Sequence, residues 1–260
     1  MHLVRMLHEG AVRHGFASED SVKLLAGDPF SSWELDDVMP FEHSRLLAPV
    51  APSKVVCVGV NYREHCAEMG HELPDEPVIF LKPPTSVIGP GMDIRIPAGF
   101  ECVDYEAELG VIIGRRTHAI TPEMARDHIL GYTCGNDVTN RIVQRKDGQW
   151  TRAKGYDTFC PLGPWIEAEI DPMGLRIESY VNGELRQSAS TSDMIFNPFE
   201  LVSFISRVMT LLPGDVVLTG TPAGIGPMKH GDTVEVRIEN VGSLVNTVVR
   251  SGDGDLPSCG

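Results

Sequence analysis

Glu106 and Glu108 stand two residues apart in DYEAELGVII, a segment that alternates and then turns apolar, as a strand does. Side chains two apart on a strand point to one face, so both carboxylates project together while Tyr105, Ala107 and Leu109 face the other way. Like charges held side by side repel unless a cation lies between them. An oxygen-only donor set suits Mg²⁺, Mn²⁺ or Ca²⁺. Asp137, in GYTCGNDVTNR at the end of another expected strand, is a candidate third ligand. Taken singly, an E-x-E pair is commonly a solvated face of an edge strand, and an Asp in this setting a turn residue. Spacing alone does not bring the three together.

A second group lies in NYREHCAE, where His65 and Glu68 are three apart and share one face of a helix. A carboxylate beside an imidazole orients the ring and raises its basicity, which makes a general base for activating water. The alternative is a surface ion pair. Lys154, in TRAKGYDTFCPLGPW, could neutralise a developing enolate, or be an ordinary surface lysine. TGTPAGIG, residues 219–226, follows an expected strand and could present backbone N–H groups to a carboxylate. It is not a P-loop, because no G-K-[ST] follows.

The elements around these residues are mostly strands. HLVRML, AVRHGFA and SVKLLAG read as a small β meander, and residues 28–53, with Pro40, Pro49 and Pro52, as a linker. Residues 1–50 thus form a small N-terminal β unit with its linker, and residues 51–260 the main domain. In the latter VVCVGV, PVIFLK, residues 104–113, VVLTG, TVEVRIE and SLVNTVVR read as strands, and residues 132–137 as a strand entering a loop. A short helix is expected over residues 62–69, capped by Asn61 and stopped by Gly70. Another starts at Thr121-Pro122 and ends at Gly131. Asn182-Gly183 marks a hairpin. Asn197, Pro198 and Glu200 start a helix running to about Leu212. The tail from Ser251 is expected to be loose. Strands that do not alternate with helices imply a β-rich α+β fold with mixed or antiparallel sheets.

Bulk properties narrow the field. Thirty-six acidic residues against 22 Lys and Arg leave a net charge of −14, which repels phosphate backbones and anionic membranes, so nucleic acid and membrane are not expected partners. A carboxylate substrate still binds if a local cation reverses the field. The six cysteines have no zinc-like spacing and fit a reducing compartment. Neither a signal peptide nor a membrane-length apolar run stands out, and the cytoplasm is the expected location.

Taken in order, VVCVGVNYREH, PVIFLKPPTSVIGPG, DYEAELGVIIG, GYTCGNDVT, KGYDTFCPLGPW and VVLTGTPAGIG resemble the fumarylacetoacetate hydrolase family, from about Lys54 to Val249. The resemblance implies a mixed-sheet β-roll of that family's C-terminal-domain type, usually a homodimer. It implies Glu106, Glu108 and Asp137 as ligands of Mg²⁺ (or Mn²⁺ or Ca²⁺), with Lys154 beside the substrate. It implies His65 and Glu68 as a dyad on a lid helix near residues 61–70. Arg141 and Gln144 match substrate-lining positions, Thr221 the carboxylate-binding turn, and Lys82 a further substrate contact. Val60 departs from relatives that carry Arg or Leu before Asn-Tyr.

The implied substrate is a small 2-oxo acid, such as those of aromatic catabolism, whose carboxylate and keto oxygens chelate the metal so that an enolate is stabilised. C–C bond cleavage follows if His65 activates water, as in acylpyruvate or fumarylpyruvate hydrolases, or if CO₂ leaves, as in oxaloacetate decarboxylases. If the dyad only moves a proton, the outcome is isomerisation or tautomerisation of the 2-hydroxyhepta-2,4-diene-1,7-dioate type. Cleavage is the expected chemistry and isomerisation the alternative. A non-catalytic protein stabilised by a metal is the reading from another class, in which His65, Glu68 and Lys154 would be superfluous.

Overall fold

The computed structural model describes residues 2–70 and 72–250; the tail expected to be loose, residues 251–260, lies outside the described residues. Three sheets organise the chain. The largest has eleven strands and is mixed: Val216–Leu218 runs parallel to Val55–Gly59, whereas Ala107–Ile113 is antiparallel to both Val216–Leu218 and Ile129–Asn136. A five-stranded sheet contains the hairpin Arg176–Val181/Glu184–Ser190 together with Thr233–Ile238, Gly242–Arg250 and Ile94–Ile96. A small sheet joins Val103–Tyr105 to Thr139–Asn140 and Gly226–Pro227. The fold is β-rich α+β with mixed sheets, as the residue pattern indicated.

The continuous apolar run of Val55–Gly59 has a simple cause. Its alternate residues feed two cores, Val56 and Val58 on one side of the large sheet and Val55 and Cys57 on the other. A strand covered on both faces needs apolar residues at every position. Leu109, Val111 and Ile113 likewise join the first core and Ile112 the second. The helix Pro198–Val208 closes the first core with Leu201, Val202 and Ile205. Asn197 accepts from the backbone of Phe199 and Glu200, and Glu200 reaches back to Asn197, so the expected capping box is formed. At the hairpin, Asn182 and Gly183 both take positive φ, 53° and 80°, as a type I′ turn requires.

Three expectations are corrected. The presumed linker carries an eight-residue strand, Trp33–Pro40, paired with Ser21–Gly27. Asp28 accepts from the backbone of Phe30 and its carbonyl from Ser31, so the chain doubles back at once. Every residue of that strand except Met39 is exposed, so no alternation marked it. The N-terminal strands form the expected meander, His2–His8, Ala11–Ala17, Ser21–Gly27 and Trp33–Pro40 in consecutive antiparallel pairs, and His2–His8 also pairs with Cys160–Glu167 and so extends the large sheet. The helix expected over residues 121–131 is only Pro122–Ala125 followed by a 3₁₀ turn, Arg126–His128. Ile129 is instead drawn into a strand by pairing with Ile113. Finally, the strand expected over residues 104–113 breaks at Glu106, where the chain passes from the small sheet to the large one.

Candidate active site

The break at Glu106 positions the acidic cluster. Glu106 N–H donates to Asn136 Oδ1 at 3.0 Å, and Asp137 N–H donates to the Glu106 carbonyl at 2.9 Å. The end of Ile129–Asn136 is thereby tied to the start of Ala107–Ile113, and Asp137 is delivered beside the two glutamates. Ligand oxygens of Glu106, Glu108 and Asp137 lie within 4.8 Å of one another, and all three residues are buried.

Cations surround them unevenly. Lys154, at the end of the short helix Thr151–Lys154, donates to Glu106 Oε2 at 2.9 Å and to Asp137 Oδ2 at 2.6 Å. Lys82 donates to Asp137 Oδ1 and, at 3.1 Å, to the Val138 carbonyl. Arg141 Nε donates to Asp104 at 2.7 Å, Nη2 to Glu106 Oε1, and Nη1 to Gln144 Oε1 at 3.0 Å. Glu108 receives only the Gly220 N–H, at 2.7 Å, and has no ion-pair partner among the described residues.

Their ionisation follows from these contacts. Burial alone would raise the Glu106 carboxyl, but the Lys154 and Arg141 charges outweigh it and hold the group well below the usual carboxylate range. Glu108 goes the opposite way, since burial and then the Asp137 and Glu106 charges push it well above that range. Burial opposes the Lys154 ammonium, yet Asp137 and Glu106 raise it above an ordinary lysine. The site therefore sets four buried carboxylates, counting Asp104, against three cations, and the surplus falls on Glu108. An oxygen-only cluster with one uncompensated carboxylate fits a hard divalent cation.

These groups open into a cavity of about 270 Å³ bordered by Glu106, Glu108, Lys154, Arg141, Gln144 and Thr221, with His65 facing them. His65 sits on the helix Arg63–Met69 with its Nδ1 2.9 Å from Glu68 Oε2. Glu68 is one step back from the cavity, and its other oxygen accepts from Gly224 N–H at 3.0 Å. Lys82 does not border the cavity; it lies behind Asp137 with 1% of its surface exposed.

Three residues that serve the site were not expected there from the sequence. Asn61, expected to cap the helix, does not; Tyr62 takes that position without a side-chain bond. The Asn61 amide instead donates to the carbonyls of Thr219 and Phe196 at 2.7 and 3.0 Å and accepts from Phe196 N–H at 2.9 Å, tying the helix entrance to the Thr219–Thr221 turn. Gln187 accepts from Ala107 N–H at 3.0 Å and donates to Thr221 Oγ1 at 2.8 Å and the Pro222 carbonyl at 2.7 Å, bridging the glutamate strand and the same turn. Trp150 walls the cavity. Nothing local marks Asn61 or Gln187, because their partners lie far along the chain.

Residues 54–249 match the family described as fumarylacetoacetate (FAA) hydrolase, C-terminal. The chain belongs to the fumarylacetoacetate hydrolase family. Residues 1–49 match a second family, described as Rv2993c-like, N-terminal. Over 225 residues the chain is 43% identical to an oxaloacetate tautomerase of Bos taurus, FAHD2B, mitochondrial, covering 82% of this chain and 72% of that one. A 2-hydroxyhepta-2,4-diene-1,7-dioate isomerase from Mycobacterium marinum superimposes with a TM-score of 0.90 at 46% identity, covering 97% of this chain and 99% of its own. Maleylpyruvate hydrolase from Sphingobium sp. SYK-6, solved with manganese(II) and pyruvate, gives 0.81 at 30%, covering 97% and 100%. Members of this family are enzymes, and these three differ in reaction.

Proposed function

We propose that this family member is a divalent-metal-dependent enzyme that moves a proton at the carbon beside the keto group of a small 2-oxo acid, as a tautomerase or isomerase. The observation that carries the reading is that His65, oriented by Glu68, faces the same small cavity as Lys154 and the acidic cluster. Glu106, Glu108 and Asp137 would hold the cation. Bound there, Mg²⁺ or Mn²⁺ would supply a Lewis acid for negative charge developing on a substrate oxygen.

The chain's own groups divide the remaining work. With Nδ1 engaged by Glu68, the His65 nitrogen left for substrate is Nε2, in the acceptor form a general base needs. The Lys154 ammonium, kept charged by its carboxylates, offsets charge gathering on the substrate. The Thr221 hydroxyl accepts from Gln187, so its own proton is left to donate to a substrate carboxylate. The two relatives of highest identity named above are a tautomerase and an isomerase, which favours proton transfer over bond cleavage.

C–C bond cleavage is the second reading, favoured by the similarity to a hydrolase solved with manganese and pyruvate. One experiment separates the two. Oxaloacetate and acetylpyruvate are incubated with the protein and Mg²⁺ or Mn²⁺ and followed by NMR against a chelated control. Proton transfer is expected as metal-dependent acceleration of keto–enol exchange without pyruvate above background. Acetate with pyruvate, or pyruvate with CO₂, would establish cleavage instead. Exchange and breakdown both at background would sink the enzymatic reading for short 2-oxo acids.

A further inference from the structure

Four basic side chains border the cavity: His65, Arg141, Lys154 and Arg145. Three are already engaged, His65 by Glu68, Arg141 by Asp104 and Glu106, and Lys154 by Glu106 and Asp137. Arg145 takes part in no ion pair or side-chain hydrogen bond among the described residues; Asp104, whose charge it influences, is held by Arg141. It lies one turn beyond Arg141 on the helix Arg141–Asp147, on the face that also carries Gln144. Along that face exposure rises from Arg141, which is buried, through Gln144 to Arg145, which is exposed. Arg145 thus stands at the mouth of the cavity whose floor is the acidic cluster.

The wall between floor and mouth is apolar, built from Val58, Val60, Met69 and Trp150. Trp150 is held in place: its ring packs edge-on to Phe80 at 5.3 Å, and a Cβ on Gly59 would meet it at 2.3 Å. The space is slightly below the range of roughly 300–1,000 Å³ that holds drug-sized ligands, so a short chain spans it. A helix C-terminus also attracts cations, but Lys146 serves that end equally and does not border the cavity. On a chain of net charge −14, an unpaired guanidinium at the mouth reverses the local field for an anion.

We infer that Arg145 reads a second carboxylate at the far end of the substrate, so that the site selects 2-oxo dicarboxylates over 2-oxo monocarboxylates. The inference rests on the 2-oxo acid reading above. A guanidinium binds a carboxylate through two parallel N–H donors, which a lysine in its place matches only in charge.

Calorimetric titration of the Mn²⁺-loaded full chain with ligands matched in length tests it. The pairs are 2-oxoglutarate against 2-oxovalerate, and 2-oxoadipate against 2-oxohexanoate. The parent protein is expected to prefer the dicarboxylate of at least one pair by about tenfold, and added salt to shrink that preference. Arg145→Met should abolish it by weakening the dicarboxylate alone, and Arg145→Lys should restore part of it. An unchanged Tm for Arg145→Met keeps misfolding apart from lost recognition. Binding of all four ligands with no preference, or a preference that survives Arg145→Met, overturns the role of Arg145 while leaving the 2-oxo acid reading intact. Failure of the parent to bind any of the four with metal overturns that reading and this inference with it.

Discussion

Gly224 donates its backbone N–H to one oxygen of Glu68 at 3.0 Å while the other oxygen holds His65 at 2.9 Å. A residue of the glycine-rich turn thus steadies the dyad on the helix Arg63–Met69. The carboxylate is braced at both ends, so the imidazole has one preferred orientation over the cavity.

Glu68→Gln and Glu68→Ala should therefore lower kcat by about 100-fold, the scale of a lost oriented acid–base pair. The Glu68 side chain is about a third exposed, so stability should move by no more than about 1 kcal/mol. Rate assays beside thermal melts check both. Full activity in either variant would remove the dyad from the mechanism.

Stability should depend on pH through Glu108. Burial and then the Asp137 and Glu106 charges raise its carboxyl above the ordinary range. A raised folded-state value stabilises the fold below the unfolded value of about 4.3, and that contribution is lost as pH rises through the folded value. Without metal, Glu108→Gln should gain in Tm over the parent as the pH climbs above the ordinary carboxylate range. Mg²⁺ should reverse the order, because the ionised Glu108 carboxylate can ligate the cation whereas the neutral amide is a weaker ligand. Melts of both proteins across pH, in EDTA and in Mg²⁺, should show this crossing. Parallel curves would mean that Glu108 neither stores the excess charge nor binds metal.

Lys82 is walled in behind Asp137, with its ammonium on that carboxylate and on the Val138 carbonyl. Removing one partner of a buried pair is expected to destabilise by about 3–5 kcal/mol. Lys82→Met should lose that amount in urea denaturation of the metal-free protein. A change below about 1 kcal/mol would show that Lys154 alone satisfies Asp137.

Gly220 offers a steric test. Its φ is +95°, its N–H donates to Glu108, and an added Cβ would stand 2.7 Å from the Asn61 Cβ. Gly220→Ala should destabilise by about 1–3 kcal/mol and weaken metal binding as the turn shifts. Gly70→Ala is the control, with φ of +69° but open space around the new methyl, and should cost about 1 kcal/mol with metal affinity unchanged. Equal behaviour of the two variants in metal titrations would argue against a role for the turn in holding Glu108.

What the residues determined by themselves was local. The side-by-side placement of Glu106 and Glu108, the pairing of His65 with Glu68, the Asn182-Gly183 turn and the Asn197 capping box all involve positions within a few residues of each other. Short-range geometry, whether element period, turn conformation or cap bonding, brings such neighbours together. The tertiary structure decided the rest. It broke the glutamate strand at Glu106 and brought in Asp137, turned Asn61 from a cap into a cross-link, and moved Lys82 from the substrate to the back of Asp137. It also made a strand of Trp33–Pro40, which has almost no buried face to announce it. Each outcome depends on a backbone pairing or a side-chain bond to a partner distant in sequence or to a chain reversal. Periodicity carries no information about such partners, because it records only which face of an element is buried.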